Sequence, residues 1–164
     1  MAKKMLIIYY SFTSDNTKRI AEELQKATGA DIARLYTSRE YTGSYDDIVD
    51  QGLKEVNEGY MPEILPIEFS LDDYDIIAIG SPTWWYTMAP AVLTFLSNND
   101  MAGKTVIPFQ THGGWPGHFM KDIKNICKGA DIENEISIQF NNDKIVTDKS
   151  EVKHWIQKLE TKNT

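Results

Sequence analysis

Apolar and polar positions along the chain fall into two kinds of block. Residues 5–10 (Met5-Leu6-Ile7-Ile8-Tyr9-Tyr10) form an unbroken apolar run, the pattern of a strand covered on both faces. Residues 17–28 instead follow a helical period. Ile20, Ala21, Leu24 and Ala27 share one face, with Lys18, Arg19, Glu22, Glu23 and Lys26 elsewhere, and Gly29 is placed to end the helix. Short strands are predicted at 31–36, 76–80 and 105–110. Residues 135–140 alternate Ile136, Ile138 and Phe140, which reads as an edge strand. Helical spacing recurs at 46–58 through Ile48, Val49, Gly52, Leu53 and Val56, between loops rich in Tyr, Gly and Pro. Pro90 suits the first position of a helix over 90–96. A helix over 116–128 turns Phe119, Ile123, Ile126 and Cys127 inward. The last, 150–159, is built on Val152, Trp155, Ile156 and Leu159, with Asp148 and Glu151 as a candidate capping box.

Strands alternating with helices predict an α/β fold: a three-layer, doubly wound, five-stranded parallel sheet with helices on both faces. No repeat, low-complexity segment or linker divides the chain, so 1–164 is expected to form one domain. In such sheets ligands bind beyond the carboxyl ends of the strands, where the strand order switches direction.

Composition narrows the partners. The formal net charge is −7 and there is no Lys/Arg run. That argues against nucleic acid and anionic membranes, and permits docking to a basic protein. One cysteine, Cys127, excludes an internal disulfide and any multi-cysteine metal site. The three histidines lack the pairing of a metal site. Apolar runs are too short to span a membrane, and Met1-Ala2-Lys3-Lys4 leads into a strand without a signal-cleavage pattern, so a cytoplasmic protein is expected.

Three loops after strands carry the chemistry. The first, Ser11-Phe12-Thr13-Ser14-Asp15-Asn16-Thr17, is rich in hydroxyls and precedes a helix. Free N–H groups and the positive dipole end make such a turn a phosphate cradle. The second, 80–90, holds three adjacent aromatics, Trp84, Trp85 and Tyr86, which cannot all share one face of a strand or helix. The third, 111–117, offers Thr111, His112 and two glycines, Gly113 and Gly114, where backbone can approach a ligand closely. A cradle beside an aromatic wall suits a ligand with a phosphate at one end and a flat conjugated ring at the other.

Competing phosphate motifs are missing. No G-x-x-x-x-G-K-[ST] string occurs, and no G-x-G-x-x-G follows the first strand. Nor is there a G-x-S-x-G nucleophile elbow. A phosphoreceiver domain would need an acidic pair after the first strand and an Asp after the third; Tyr10-Ser11 and Gly80-Ser81 stand there. The cradle carries no lysine, so neutral donors are expected to hold the phosphate.

The residues of all three loops resemble the flavodoxin-like family. Residues 9–17 are similar to its phosphate loop, Gly80-Ser81-Pro82-Thr83-Trp84-Trp85 to its first flavin-ring loop, and Thr111-His112-Gly113-Gly114 stands where its second ring loop falls. The resemblance spans nearly the whole chain and implies strand order 2-1-3-4-5, the order for which flavodoxin itself is a standard example. The uninterrupted 135–140 segment looks like the short-chain form. One departure is Asp15, which stands where the family usually has Gly. Asp tolerates positive φ, but its carboxylate repels a phosphate unless it points away.

The resemblance implies FMN as cofactor. Ser11, Thr13, Ser14, Asn16 and Thr17 would hold its phosphate, and Pro82, Thr83, Trp84 and Trp85 the ribityl chain and ring. Thr111, His112, Gly113 and Gly114 would line the other side, with His112 a candidate donor to a ring oxygen or a substrate. Two functions follow: a low-potential electron carrier that meets a redox partner protein, or an FMN-dependent NAD(P)H:quinone-type oxidoreductase. Exposed aromatics also suit a dimer face, so monomer and dimer both stay open. Tyr36, Tyr41, Tyr45 and Tyr60 are expected mainly to pack the 37–70 segment, and a substrate pocket is the alternative.

Overall fold

The structure, a computed structural model, describes residues 4–12 and 14–160. Five principal strands form its sheet: β1 (Met5–Tyr9), β2 (Asp31–Arg34), β3 (Ile76–Trp84), β5 (Thr105–His112) and β7 (Ile136–Asn141). They are all parallel and run in the order β2-β1-β3-β5-β7, which is 2-1-3-4-5 by count of principal strands. These are the five expected strands, and among the described residues three short strands extend the sheet to eight. Two-residue strands are added: β4 (Thr87–Met88) antiparallel to β3, β6 (Asp131–Ile132) on β5, and β8 (Lys144–Ile145) antiparallel to β7. β7 is therefore capped by β8 rather than being the outermost strand.

Each central strand feeds two cores, because successive side chains point to opposite faces. Leu6, Ile8, Ile77 and Ile79 pack with α3 (Pro90–Asn98) and α4 (Phe119–Ile126). Met5, Ile7, Ile76, Ala78 and Ile107 pack with α1 (Asn16–Thr28) and α5 (Lys149–Glu160). In β5, Pro108 falls between the pairing with β6, which ends at Val106, and that with β7, which begins at Phe109. A residue without an N–H is tolerated where that side of the strand has no ladder bond to lose.

Helix ends follow local chemistry. Gly29 stops α1 in the left-handed conformation, at φ 69°. α2 (Tyr45–Glu58) opens on a full capping box between Ser44 and Asp47, which holds the Asp47 carboxyl below its usual range through its bonds to Ser44. α5 has a different cap from the one its sequence suggests: Asp148 Oδ1 accepts from the Ser150 N–H and hydroxyl. α4 starts at Phe119, later than expected, since Gly117 takes φ 60° and His118 lies outside helical geometry. α2 differs from the other four helices. Only Gly52 and Glu55 of it are buried, and Ile48, Val49, Leu53 and Val56 are half-buried.

Among the described residues no helix is long and apolar enough to cross a membrane, and no group of three or more His, Cys, Asp or Glu is arranged to hold a metal ion.

Candidate functional site

The loops after β1, β3 and β5 share one sheet edge, because parallel pairing aligns Tyr9, Gly80 and Phe109. At the first loop, Asp15 is the N-cap of α1 and adopts φ 56° and ψ 23°, the left-handed conformation that Gly or Asp accepts. Its side chain makes no capping hydrogen bond, so the Asn16 and Thr17 amides are left uncapped by it, while that of Lys18 is taken by Ser11. Ser11 is buried and its Oγ accepts from the Lys18 N–H at 3.3 Å. Thr17 is buried, with Oγ1 2.8 Å from Thr111 Oγ1. Ser14 is exposed. The Asn16 side-chain amide donates to Asn142 O in the β7–β8 turn, so this residue faces a ligand chiefly through its backbone. Thr13 lies outside the described residues.

Sequence reasoning missed Arg34. It ends β2 opposite Tyr9, and its Nη2 donates to Ser11 O at 3.1 Å and to Asp15 Oδ1 at 3.4 Å. The guanidinium lies over the rings of Tyr9 and Tyr36. Its Nε is buried with no hydrogen-bond partner among the described residues. A cation thus stands against a cradle expected to hold only neutral donors. The signal was available in the topology: in the order 2-1-3-4-5 the second strand also ends beside the first loop.

Residues 81–84, expected to be loop, continue the strand. Ser81 and Pro82 pair with Gln110 and Thr111, and β3 then turns back into β4 with Trp84 opposite Thr87. The two-residue turn is Trp85-Tyr86, at φ 48° and 72°. Positive φ at both positions is what a type I′ hairpin requires, and Asn-Gly is its usual sequence. Trp84 does not stand free. Its ring meets Tyr10, Phe12 and Tyr41 edge-on at centroid distances of 6.0, 5.9 and 5.1 Å. Trp85 is 38% exposed and its Nε1–H donates to Val49 O at 2.9 Å. Between these indoles and α2 lies a cleft of about 200 Å³, lined by Phe12, Tyr45, Ile48, Val49, Gly52 and Thr83 as well. Among the described residues no charged side chain lines it.

On the third loop, His112 Nδ1 accepts from the Gly114 N–H at 3.0 Å. A neutral ring with its acceptor used in this way carries its proton on Nε2. Burial lowers the His112 pKa below the ordinary histidine value, which favours that neutral form. Gly113 and Gly114 are exposed, and the space a side chain would occupy at Gly113 is open.

A polar network, also missed, joins the loops. Gln110 is 1% exposed; its Nε2 donates to Thr83 Oγ1 at 2.7 Å and to Pro116 O at 2.6 Å, and its Oε1 accepts from Ser137 Oγ at 2.7 Å. Thr83 Oγ1 in turn donates to Thr111 O at 3.0 Å. Thr17, Thr111, Thr83 and Gln110 therefore fix the three loops against one another. The signal was an amide in an otherwise apolar strand, a group that burial obliges to find partners.

The remaining candidates are placed as follows. His118 Nδ1 and Thr87 Oγ1 share Asp122 Oδ2. His154 is exposed, Trp115 is 70% exposed, and Trp155 is buried with its Nε1–H donating to Asn134 O. Cys127 is buried, and burial pushes its thiol pKa up to about 11. Of the tyrosines, Tyr41 donates to the buried Glu55 carboxylate at 2.7 Å, Tyr45 lines the cleft, and Tyr36 and Tyr60 are about half exposed.

The flavodoxin family model matches residues 4–159. The chain belongs to the flavodoxin family. A flavoprotein from Lactobacillus acidophilus NCFM, solved in complex with FMN, is 25% identical, with 94% of this chain and 99% of that one covered and a TM-score of 0.71. A protein from Bacteroides uniformis ATCC 8492, provisionally described as a flavoprotein, is 26% identical over 96% and 99% of the two chains, at a TM-score of 0.79. A similarly described protein from Bacteroides eggerthii DSM 20697 is 24% identical over 99% of each, at 0.78, and shows the fold. No curated protein matches the chain significantly.

The site suits a flavin phosphate as a flavodoxin site should. The α1 N-terminus is left uncapped by its N-cap side chain, two buried hydroxyl residues line the turn, and a guanidinium offsets the one nearby carboxylate.

Proposed function

We propose that this flavodoxin binds FMN along the edge formed by the three loops and serves as a low-potential electron carrier. What carries the reading is one arrangement: a helix start that its N-cap side chain leaves open and an aromatic hairpin on the same sheet edge, tied through Thr17, Thr111 and Thr83. Ser11, Ser14, Asn16 and Thr17 present hydroxyls and amides to the phosphate, joined by Thr13 on its sequence. Pro82, Thr83, Trp84 and Trp85 flank the ribityl chain and one side of the ring. Thr111, His112, Gly113 and Gly114 flank the other, with the Nε2–H of neutral His112 as a donor. Bound FMN would supply reversible transfer of one or two electrons. The protein binds and orients it, and sets how favourable added negative charge is. A net charge of −7 and a neutral His112 both oppose added negative charge on the ring.

Titration of the purified protein with FMN, followed by quenching of flavin fluorescence, tests the binding. The carrier reading expects tight quenching and a midpoint potential below that of free FMN. A potential above free FMN sinks the carrier, and no binding at micromolar concentrations sinks the flavin site.

The cleft supports a second reading. Its uncharged lining of Phe12, Ile48, Val49, Trp84 and Trp85 suits a flat, neutral acceptor, as an NAD(P)H:quinone-type oxidoreductase would need. Rapid bleaching of the FMN-loaded protein by NAD(P)H, with no partner protein present, favours the enzyme; inertness favours the carrier.

A further inference from the structure

Asp15 poses a problem that the phosphate cradle must solve. The turn needs a residue at positive φ, and Asp15 supplies it at 56°. Yet an aspartate there brings a negative charge to the place where a phosphate dianion is to be held. An N-cap aspartate ordinarily points its carboxylate at the helix amides. Here it makes no such bond, and Oδ1 lies 3.4 Å from Arg34 Nη2 instead.

Arg34 is well placed to hold it. Its backbone is fixed in β2 opposite Tyr9, its Nη2 also donates to Ser11 O at 3.1 Å, and its guanidinium lies 5.9 and 5.4 Å from the Tyr9 and Tyr36 ring centroids. The Arg34 side chain is 24% exposed, against 51% for Asp15, so the cation is the anchored member of the pair.

We propose that Arg34 is a positioning residue for the phosphate loop: it draws the Asp15 carboxylate away from the α1 amides and neutralises it. The left-handed turn is thereby built with aspartate in place of glycine. The inference rests on the FMN reading above. It assigns Arg34 no contact with the phosphate; its effect passes through Asp15.

The test is a double-mutant cycle with Arg34→Met, Asp15→Asn and the pair, measuring Kd for FMN and for riboflavin, which lacks the phosphate. Arg34→Met is expected to weaken FMN binding roughly five- to tenfold, the size of an unscreened carboxylate near a dianion in water. Riboflavin binding should be unchanged, and the FMN loss should shrink in high salt. Asp15→Asn should bind FMN at least as tightly as the wild type and abolish the Arg34→Met penalty. Persistence of that penalty in the Asp15→Asn background overturns the inference, as does equal loss of riboflavin. Arg34→Gln, which keeps a donor for Ser11 O without the charge, should give the same pattern, and a wild-type-like FMN affinity for it counts against the proposal. A wild type that binds FMN with an additive cycle defeats this inference alone. A wild type that binds no FMN defeats it together with the reading beneath it.

Discussion

The start of α1 and the tip of the β3–β4 hairpin lie on one sheet edge, and both hold side-chain-bearing residues at positive φ. They tolerate that backbone by different means. At α1 a single residue, Asp15, takes the left-handed conformation, and it is of a type that accepts it readily. One ion pair then deals with its charge. At the hairpin, two large aromatics, Trp85 and Tyr86, both take positive φ, at roughly 1–3 kcal/mol each by the usual cost of such conformations. That strain is offset from outside the turn. Trp85 donates to Val49 O, Tyr86 O accepts from the His118 N–H at 2.8 Å, and Thr87 donates to Asp122. Gly117 fits the back of the turn so closely that a Cβ there would come within 2.2 Å of Tyr86 O. A strained element held by many outside contacts is characteristic of a functional position. The end proposed for the phosphate is thus locally consistent, and the end proposed for the ring is held by its surroundings.

Gln110 offers the largest break in this comparison, since it bonds the hairpin and third loop directly and reaches α1 only through Thr83, Thr111 and Thr17. Replacing it by leucine leaves Thr83, Pro116 and Ser137 without their partner. The expected loss is about 2–3 kcal/mol of stability, read by denaturant unfolding. Amide exchange should quicken in 83–88 and 112–117 and stay slow in α1. Equal loosening of α1 would show that the two ends are one unit and remove the contrast.

Exchanging Trp85-Tyr86 for Asn-Gly sharpens the contrast with a smaller and opposite effect. The type I′ turn then has the sequence it prefers, and the relief of strain outweighs the lost Trp85–Val49 bond. A net gain of about 1 kcal/mol is expected, measured by thermal and denaturant unfolding. Quenching of FMN fluorescence should weaken at the same time. Destabilisation together with undiminished quenching would mean that the aromatics serve packing and not the ring site.

The same contrast marks what the sequence made legible. Apolar runs at 5–10 and 76–80, and the apolar centre of 105–110, are short enough to read as strands buried on both faces, so the sheet and its ligand edge were readable. The hairpin was not, because Gly80-Ser81-Pro82 looks like loop punctuation when its pairing with β5 is unknown. Nothing local in Trp-Tyr announces a type I′ turn; only Val49, Gly117 and His118, distant in sequence, make it tolerable. Arg34 and Gln110 were hidden for a related reason. A charged residue at the end of a short strand has no local signature of purpose, an amide after an apolar run signals only that it needs partners, and both act through groups brought near by strand order. Asp15 could be recognised as the odd residue of its loop, but its resolution required β2 to be placed beside β1.

The smallest expected effect concerns pH, and it separates the ends once more. It rests on the one histidine of the third loop. His112 is held neutral by burial, with its pKa below the ordinary 6.5, and Nδ1 accepts from Gly114. The unfolded chain therefore takes up this proton at a higher pH than the folded one. The stability that neutral His112 contributes is complete above about pH 6.5 and declines as pH falls from there toward the folded pKa. Protonation also turns Nδ1 from an acceptor into a donor, which breaks the bond to Gly114 N–H. His112→Asn keeps a side-chain acceptor and cannot titrate. Unfolding free energies of wild type and variant, compared at pH 7.5 and 5.5, should show the wild type losing more on acidification. Flavin contacts near Gly113-Gly114 should weaken with it, while the phosphate-dependent part of FMN affinity, taken as the FMN-to-riboflavin ratio and corrected for the ligand's own titration, stays level. An NMR titration that places His112 at or above 6.5 would remove the basis for this difference.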